Sequence, residues 1–437
     1  MTTRSFRDPQ VRRGMALLFR LLGRYRRDAV LSTVAALAWM AAVVVGPYLE
    51  KLVIDRAIIG EHRDVLAPLV GLIVVVGLLK ALGVGGRRWF AFRLSYRAET
   101  DLRNRIFEHI QRLEFSYHDA TATGELMARA SSDLSQVRLV FAMLPITIAN
   151  VAMFFLVGVV LIGLDPVLGS VSALTIPVMG LTAMTYARRV LGTSFEVQQR
   201  LADMSSVVAE GVSGIRVVKA FGREEREVGR VDDVAAQIYD KTMELVRHRS
   251  RFVPGFEVIP ALATVAVLWI GGLRVIDGIM TLGDFVAFTQ YLVILIFPLR
   301  LTGWFFAELP RAAAASARVL QLLEKAPEIV DPKDPRQLPP GGGEIRFRGV
   351  EFAYPEGPPV LSGVDLRVRS GSSVAVVGST GSGKSTLAYL VPRFYDPSGG
   401  TVSIDGVDVR HLRLDDLRSQ VAVVFEETFL FSATIAE

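Results

Sequence analysis

The sequence predicts an all-α six-helix transmembrane domain with long cytoplasmic helix extensions, followed by a partial α/β domain. The prediction rests on six apolar segments, helical periodicity in the long links between them, and alternating periodicity beyond residue 343. Of the 437 residues, 51% are hydrophobic and 21% are charged, against roughly 25% charged in ordinary soluble domains. One soluble core cannot bury this apolar excess, so membrane spans are expected. Cysteine is absent, which excludes disulfides and thiol chemistry.

Each apolar segment has about the twenty residues that a helix needs to cross a bilayer. The predicted spans are 29–49, 65–86, 139–163, 167–187, 256–276 and 282–306. The links after the second and fourth spans are long and rich in arginine, whereas the other links are short. Because positive residues favour the cytoplasmic side, the N-terminus and both long links are predicted to lie inside. The segment before the first span is also rich in arginine.

The long links have the periodicity of helices. Segments 97–107 and 195–211 carry apolar residues at helical spacing, so the spans are predicted to continue as helices into the cytoplasm. Each of these links is predicted to turn over at a short break, at 116–124 in one and at 211–222 in the other. A further helix, rich in Ala and Arg, is predicted at 307–325.

A proline-rich segment marks a domain boundary after this helix. Residues 326–343 contain prolines at 327, 332, 335, 339 and 340 and end in three glycines, which is typical of a linker. Alternating apolar residues then predict strands at 344–348, 364–368 and 401–404, the last turning at Asp405-Gly406. The predicted domains are therefore 1–325 and 344–437, joined by the linker 326–343.

A glycine-rich loop follows the apolar run 374–377, which predicts a strand. Residues 378–385 of this loop match the pattern G-x-x-x-x-G-K-[ST], with a helix predicted to start near Lys384. In this pattern the backbone N–H groups surround phosphates, the lysine reaches the β- and γ-phosphates, and the Ser385 hydroxyl ligates Mg²⁺. The loop predicts binding of a nucleoside triphosphate by Gly378, Ser379, Thr380, Gly381, Ser382, Gly383, Lys384, Ser385 and Thr386.

Together with these features, three motifs resemble those of bacterial ABC exporters of the half-transporter type, and the resemblance covers about 15–437. Phe352-Ala353-Tyr354-Pro355 resembles the family's aromatic segment, which implies that Tyr354 stacks on adenine. Segments 115–126 and 210–221 resemble the two coupling elements. In that family these elements dock on the ATP-binding cassette domains and transmit their closure to the spans.

The sequence departs from the family pattern in two ways. Glu426 stands where the family has a glutamine that contacts Mg²⁺ and the attacking water; a carboxylate is still an oxygen ligand for a hard cation. The family's signature motif, catalytic glutamate and switch histidine are not found up to Glu437. We therefore assign no catalytic residue, and expect the 437-residue chain not to hydrolyse ATP and to be C-terminally truncated, with strands left unpaired and apolar surface exposed.

The resemblance implies a subunit of an ATP-driven exporter of a hydrophobic or amphipathic substrate. It would use ATP and Mg²⁺ in the cytoplasmic membrane, with its ATP-binding domain in the cytoplasm and no nucleic-acid partner. Its expected protein partner is a second half-transporter, in a homodimer or a heterodimer. Two alternatives stay open. One is an ATP-binding but non-hydrolysing partner or regulatory subunit, or an inactive fragment; the other is an importer with the exporter fold.

Overall fold

The structure is a computed structural model that describes residues 9–339, 341–355, 357–426 and 434. Within the helices, that description leaves out the side chains of residues 10, 173, 176, 179, 183, 187, 188, 191, 299 and 300. The chain divides into two compact units, each formed from two segments. Unit 1 comprises Met1–Leu102 and Ser132–Leu320, and unit 2 comprises Arg103–Ser131 and Gln321–Glu437.

The first 324 residues are helical wherever regular structure is described. Two segments, Val53–Ile59 and Arg129–Asp133, are π-helical among the described residues. The helices are α1 Pro9–Arg24, α2 Arg26–Leu52, α3 Arg63–Ile110, α4 Phe115–Ala120, α5 Thr123–Ala128, α6 Leu134–Leu164, α7 Pro166–Ser213, α8 Ile215–Phe221, α9 Glu224–Phe252, α10 Gly255–Ile276 and α11 Leu282–Glu324.

Five helical stretches in the described part of the chain are long and apolar enough to cross a membrane. They contain the first, second, third, fifth and sixth predicted spans. The fourth predicted span, 167–187, lies in α7, where several side chains fall outside the description. The count of six therefore remains a prediction. The five stretches are Arg26–Ile59, Arg63–Ile110, Thr123–Leu164, Glu224–Ile276 and Leu282–Glu324.

The helices extend well beyond the predicted spans. Helices α3 and α7 each contain 48 residues. At a rise of 1.5 Å per residue each is about 72 Å long, more than twice the roughly 30 Å of a bilayer's hydrocarbon core. The helical character predicted for the long links is confirmed. The predicted breaks differ in detail, since α3 ends at Ile110, before 116–124, and most of 211–222 forms the short helix α8.

One helix differs from the prediction. The sixth span and the separate helix predicted at 307–325 form a single helix, α11, which contains Pro298 and Pro310. Proline removes one N–H donor and bends a helix, but neighbouring turns can keep their hydrogen bonds. Helix α11 ends at Glu324, and no helix or strand is described between there and Ile345.

The core of unit 1 forms where α2, α6 and α11 meet. Met40 and Val44 of α2 pack in one cluster with Met153 and Val157 of α6. Their spacing of four residues places each pair on one helix face. The fully buried Tyr291 of α11 joins this cluster and donates its hydroxyl to the Val44 carbonyl oxygen at 2.7 Å. The bond satisfies a polar group that would otherwise be costly among apolar side chains.

The strands and remaining helices are β1 Ile345–Ala353, β2 Pro359–Val368, α12 Lys384–Leu390, β3 Gly399–Ile404, β4 Val407–Asp408 and α13 Leu414–Gln420. Among the described residues of unit 2 these strands form a four-stranded antiparallel sheet in the order β2-β1-β3-β4. Ile345 of β1 pairs with Val368 of β2 and with Ile404 of β3. The predicted turn joins β3 to β4, with positive φ at both Asp405 and Gly406, as in the tight turns that match strand twist.

The strand predicted at 374–377 is not formed in the structure. A strand needs a hydrogen-bonded neighbour, and residues 372–378 pair with none of the described strands. The segment ending near Val424 is likewise unpaired. Val377 is 87% exposed and Val424 is 96% exposed, which agrees with the expectation of unpaired strands and uncovered apolar surface.

Candidate functional site

The glycine loop at 378–386 joins the unpaired segment to α12, whose first residue is Lys384, as predicted. Gly381 and Gly383 have φ values of 86° and 87°, a conformation that side chains rarely adopt. A Cβ at Gly383 would lie 2.8 Å from the Leu361 Cδ2 atom of β2. The second glycine of the pattern, Gly383, is therefore required both by its backbone conformation and by close packing on the sheet.

Lys384 lies over the loop that precedes it. Its ammonium Nζ atom donates to the carbonyl oxygens of Gly378 at 3.1 Å and of Ser379 at 2.8 Å. The structure thus places the loop's only cationic side chain against the backbone that the sequence assigns to phosphate binding. An ammonium in a glycine-rich loop that also carries backbone N–H donors suits an anion with several oxygens, so these residues fit a phosphate chain.

Tyr354 lies next to the end of the loop. Its hydroxyl is 3.2 Å from the Thr386 Oγ1 atom, although 32 residues separate the two in sequence. The Tyr354 ring meets the rings of Phe352 and Tyr395 edge to face, with centroid distances of 4.9 and 5.5 Å. The structure therefore brings together two residues that were predicted separately, the aromatic residue and the last residue of the loop.

The two residues predicted to ligate Mg²⁺ both have exposed side chains, and no contact between Ser385 and Glu426 is found among the described residues. No group of three or more His, Asp or Glu side chains in the described ranges is arranged to hold a metal ion. Glu427–Glu437, where the sequence predicts no catalytic carboxylate, lies outside the described residues except for position 434.

The first predicted coupling element forms α4 and packs within unit 2. The Phe115 ring stacks on the Phe394 ring with centroids 4.4 Å apart and planes inclined by 20°. Asp119 accepts a hydrogen bond from the Tyr395 hydroxyl. Just before α4, the Glu114 carboxylate accepts from the Glu328 backbone N–H at 2.9 Å. This element therefore docks on the unit that contains the sheet and the glycine loop.

Tyr395 and Phe394 were not singled out from the sequence. Tyr395 is only 6% exposed, and burial together with the Asp119 carboxylate raises its pKa above the usual tyrosine value. The hydroxyl therefore stays protonated at neutral pH and donates to Asp119. The sequence offered one indication of these two residues, the aromatic pair Phe394-Tyr395 shortly after α12. Local periodicity alone indicates only that such a pair packs in a core.

The second predicted coupling element forms α8, between the end of α7 and Gly222. Gly222 has a φ of 59° and ends α8 in the left-handed conformation typical of helix C-termini. Val217 and Phe221 of α8 are 62% and 75% exposed, and Ile215 is also exposed. This short helix presents apolar side chains to solvent within unit 1.

Two family models match the chain. The ABC transporter transmembrane region matches residues 29–299, and the ABC transporter model matches residues 361–437. The first match covers α2 to α10 and much of α11; the second contains the glycine loop, Phe394 and Tyr395.

Several curated proteins are similar over most of this chain. A multidrug efflux ATP-binding/permease protein of Mycobacterium tuberculosis is 36% identical over 94% of the chain, which spans 34% of that relative. The uncharacterized ABC transporter ATP-binding protein YknV of Bacillus subtilis is 32% identical over 97% of the chain and 71% of the relative. An ATP-dependent lipid A-core flippase of Desulfotalea psychrophila is 30% identical over 92% of the chain and 69% of the relative.

Proposed function

The chain belongs to the ABC transporter family, and on this premise we propose that it is a subunit of an ATP-driven exporter. The proposed cargo is a hydrophobic or amphipathic molecule that crosses the cytoplasmic membrane. The names of the relatives support this class, since one of those described is called a multidrug efflux protein and another a lipid A-core flippase. The largely helical unit with several apolar helices and the small sheet unit suit this activity.

The observation that carries the proposal is the glycine loop with Lys384 folded over it. We assign the ATP phosphates to the backbone from Gly378 to Thr386 and to the Lys384 ammonium. Ser385 and Glu426 are assigned to Mg²⁺, and Tyr354 to the adenine. Magnesium, when bound, would neutralise charge on the phosphate oxygens. The contact between Tyr354 and Thr386 supports placing the adenine and phosphate subsites side by side.

The proposed topology has six spans with both the N-terminus and the ATP-binding domain in the cytoplasm. The transmembrane domain is assigned to 1–325, the linker to 326–343 and the partial cassette to 344–437. The arginine-rich long links support this orientation. Within residues 1–437 we assign no group to the activation of water. The 437-residue polypeptide alone is therefore proposed to bind ATP without hydrolysing it, and ATP hydrolysis is assigned to the complete transporter.

The proposed partner is a second half-transporter, identical or different. Apolar side chains that remain exposed on a short helix are typical of an interaction surface. The side chains of Ile215, Val217 and Phe221 on α8 have this character, and we assign them to contact with the partner's ATP-binding domain. The proposed coupling is closure of the ATP-binding domains, transmitted through α4 and α8 to the long helices.

A second candidate function is a non-hydrolysing, ATP-binding partner subunit. Glu426 favours it, because a carboxylate adds negative charge beside the γ-phosphate where the family has a neutral glutamine. The two candidates have the same nucleotide site. They differ in whether this subunit's site hydrolyses ATP in the assembled transporter.

The test of the nucleotide site is Lys384→Ala in the full-length protein. Loss of the loop's only cationic side chain is expected to weaken ATP binding at least tenfold, about 1.4 kcal/mol, measured by equilibrium titration. Lys333→Ala is the control, because Lys333 is an exposed lysine outside the loop. Equal ATP affinity in Lys384→Ala and Lys333→Ala would overturn the assignment.

A further inference from the structure

A series of side-chain contacts connects the glycine loop to α4. It begins at Thr386, whose Oγ1 atom lies 3.2 Å from the Tyr354 hydroxyl. The Tyr354 ring then meets the Tyr395 ring edge to face, at a centroid distance of 5.5 Å and an angle of 86°. Tyr395 finally donates its hydroxyl to Asp119 of α4. Every member of the series lies in unit 2.

Tyr395 is the member with the most contacts to aromatic rings. It is 6% exposed, and its ring also meets Phe352 edge to face at 5.5 Å and Phe115 of α4 at 6.2 Å. Packed aromatic rings have few alternative orientations, so a displacement of one ring is passed to its neighbours. The Tyr395–Asp119 hydrogen bond is directional, so it fixes the position of the Asp119 carboxylate of α4 relative to the Tyr395 ring.

We propose that Tyr395 is a positioning residue that couples occupancy of the nucleotide site to the position of α4. The inference rests on the proposed function, because Tyr354 and Thr386 must contact nucleotide. In a bound nucleotide the adenine would stack on Tyr354 and the phosphates would contact the loop that ends at Thr386. The nucleotide would thus fix the positions of both residues of the Tyr354–Thr386 contact. The Tyr354 ring then sets the position of Tyr395, and Tyr395 sets the position of Asp119.

The stacked Phe115 and Phe394 rings have a different role in this scheme. Their contact attaches α4 to unit 2 through apolar surface, without a directional bond. Removing the Tyr395 hydroxyl should therefore leave α4 docked but no longer responsive to nucleotide. Removal of this one oxygen atom therefore tests the response of α4 to nucleotide separately from the docking of α4 on unit 2.

The experiment measures hydrogen–deuterium exchange of the backbone amides in Phe115–Ala120, with and without saturating Mg·ATP, in the full-length protein. In the wild type, ATP is expected to slow exchange in α4 by about threefold or more, since ordering by a ligand reduces local opening. In Tyr395→Phe the ATP affinity is expected to stay within about twofold, while the ATP-dependent change in α4 exchange is lost. Tyr389→Phe is the matched control, because its ring lies 6.5 Å from Tyr395 and belongs to the same aromatic cluster.

The acceptor is tested by substitution of Asp119. Asp119→Ala should abolish the ATP-dependent protection of α4, and Asp119→Asn should restore part of it, because the amide oxygen still accepts a hydrogen bond. The double variant Tyr395→Phe/Asp119→Ala should lose no more than either single variant, since both remove the same bond.

The outcomes separate this inference from the proposed function. If ATP binds but α4 exchange responds equally in the wild type and Tyr395→Phe, or responds in neither, the coupling role is wrong while the nucleotide site stands. If ATP does not bind the wild type, the proposed function fails and this inference fails with it. Loss of the response in Tyr389→Phe as well would also overturn the assignment to Tyr395.

Discussion

At Gly383 of the glycine loop, both the backbone conformation and close packing exclude a side chain. Its φ of 87° disfavours any Cβ, and a Cβ there would meet both the Leu361 side chain at 2.8 Å and the Val360 carbonyl oxygen at 3.3 Å. Leu361 lies in the core of unit 2 and is 5% exposed, so it has little room to move. The loop is therefore held against β2 at a point where only glycine fits.

Gly383→Ala is expected to destabilise unit 2 by about 1–3 kcal/mol, from backbone strain and the displaced Leu361 side chain. The readout is a lower Tm together with weaker ATP binding. Gly124→Ala is the control, because Gly124 has nothing within 4 Å of the added Cβ and lies in the helical conformation of α5. Equal Tm values for the two variants would contradict the strain argument.

The individual residues of the loop could be predicted from the sequence because their spacing is local. The pattern of glycines, Lys384 and Ser385 is contained in nine consecutive positions. The contact between Tyr395 and Asp119 could not be predicted in this way, because 276 residues separate them. Only the packing of α4 within unit 2 brings these two side chains together, and nothing in their local spacing indicates it.

The start of α7 shows how one side chain fixes the beginning of a helix. The Asp165 Oδ1 atom accepts from the backbone N–H groups of Val167 and Leu168, both at 2.9 Å, and Pro166 follows as the first helical residue. The other carboxylate oxygen accepts from Arg274 near the end of α10 at 2.7 Å. Asp165 is 4% exposed, so both functions are carried out away from solvent.

Asp165→Ala is expected to lower the Tm more than Asp165→Asn does. Alanine removes the cap, which costs about 1 kcal/mol, and also leaves the Arg274 guanidinium without its acceptor, whereas asparagine still caps. Thermal unfolding in detergent measures the difference. Asp277→Ala, at an exposed position after α10, serves as the control. Identical Tm values for the alanine and asparagine variants would show that the cap contributes nothing.

Hydropathy predicted the helices well because a bilayer requires long apolar runs, and five of the six predicted spans lie in helical stretches able to cross it. It did not predict that α11 continues from the sixth span to Glu324, since the composition after residue 306 changes from apolar to rich in Ala and Arg. The strand predicted at 374–377 illustrates a different limit. Alternation and apolar character indicate a strand, but its pairing depends on neighbours distant in sequence.

The proposed orientation in the membrane is a property of the whole molecule and is inferred from the distribution of arginine along the chain. The proposed topology places the α8 region inside the cell and the short link after α10 outside. Because the sequence contains no cysteine, a single introduced cysteine is the only thiol in the protein. This makes labelling with a membrane-impermeant reagent unambiguous.

A cysteine at Arg226 is expected to react only in inverted vesicles or lysed cells, and a cysteine at Asp277 is expected to react in intact cells. Both positions are exposed within the subunit. Arg226 lies near the start of α9 and is not among the α8 side chains assigned to contact with the partner. Labelling at Arg226 in intact cells would contradict the six-span topology.

The length of α7 has a mechanical consequence. Pro177 lies inside this helix, 36 residues before its end at Ser213. At 1.5 Å per residue the helix beyond this proline is about 54 Å long, and proline is a frequent site of helix bending. A bend of only about 5° at Pro177 would swing the far end by about 5 Å, close to the pitch of one helical turn. A small change in angle at Pro177 would therefore displace the Ser213 end of α7 by about the length of a side chain.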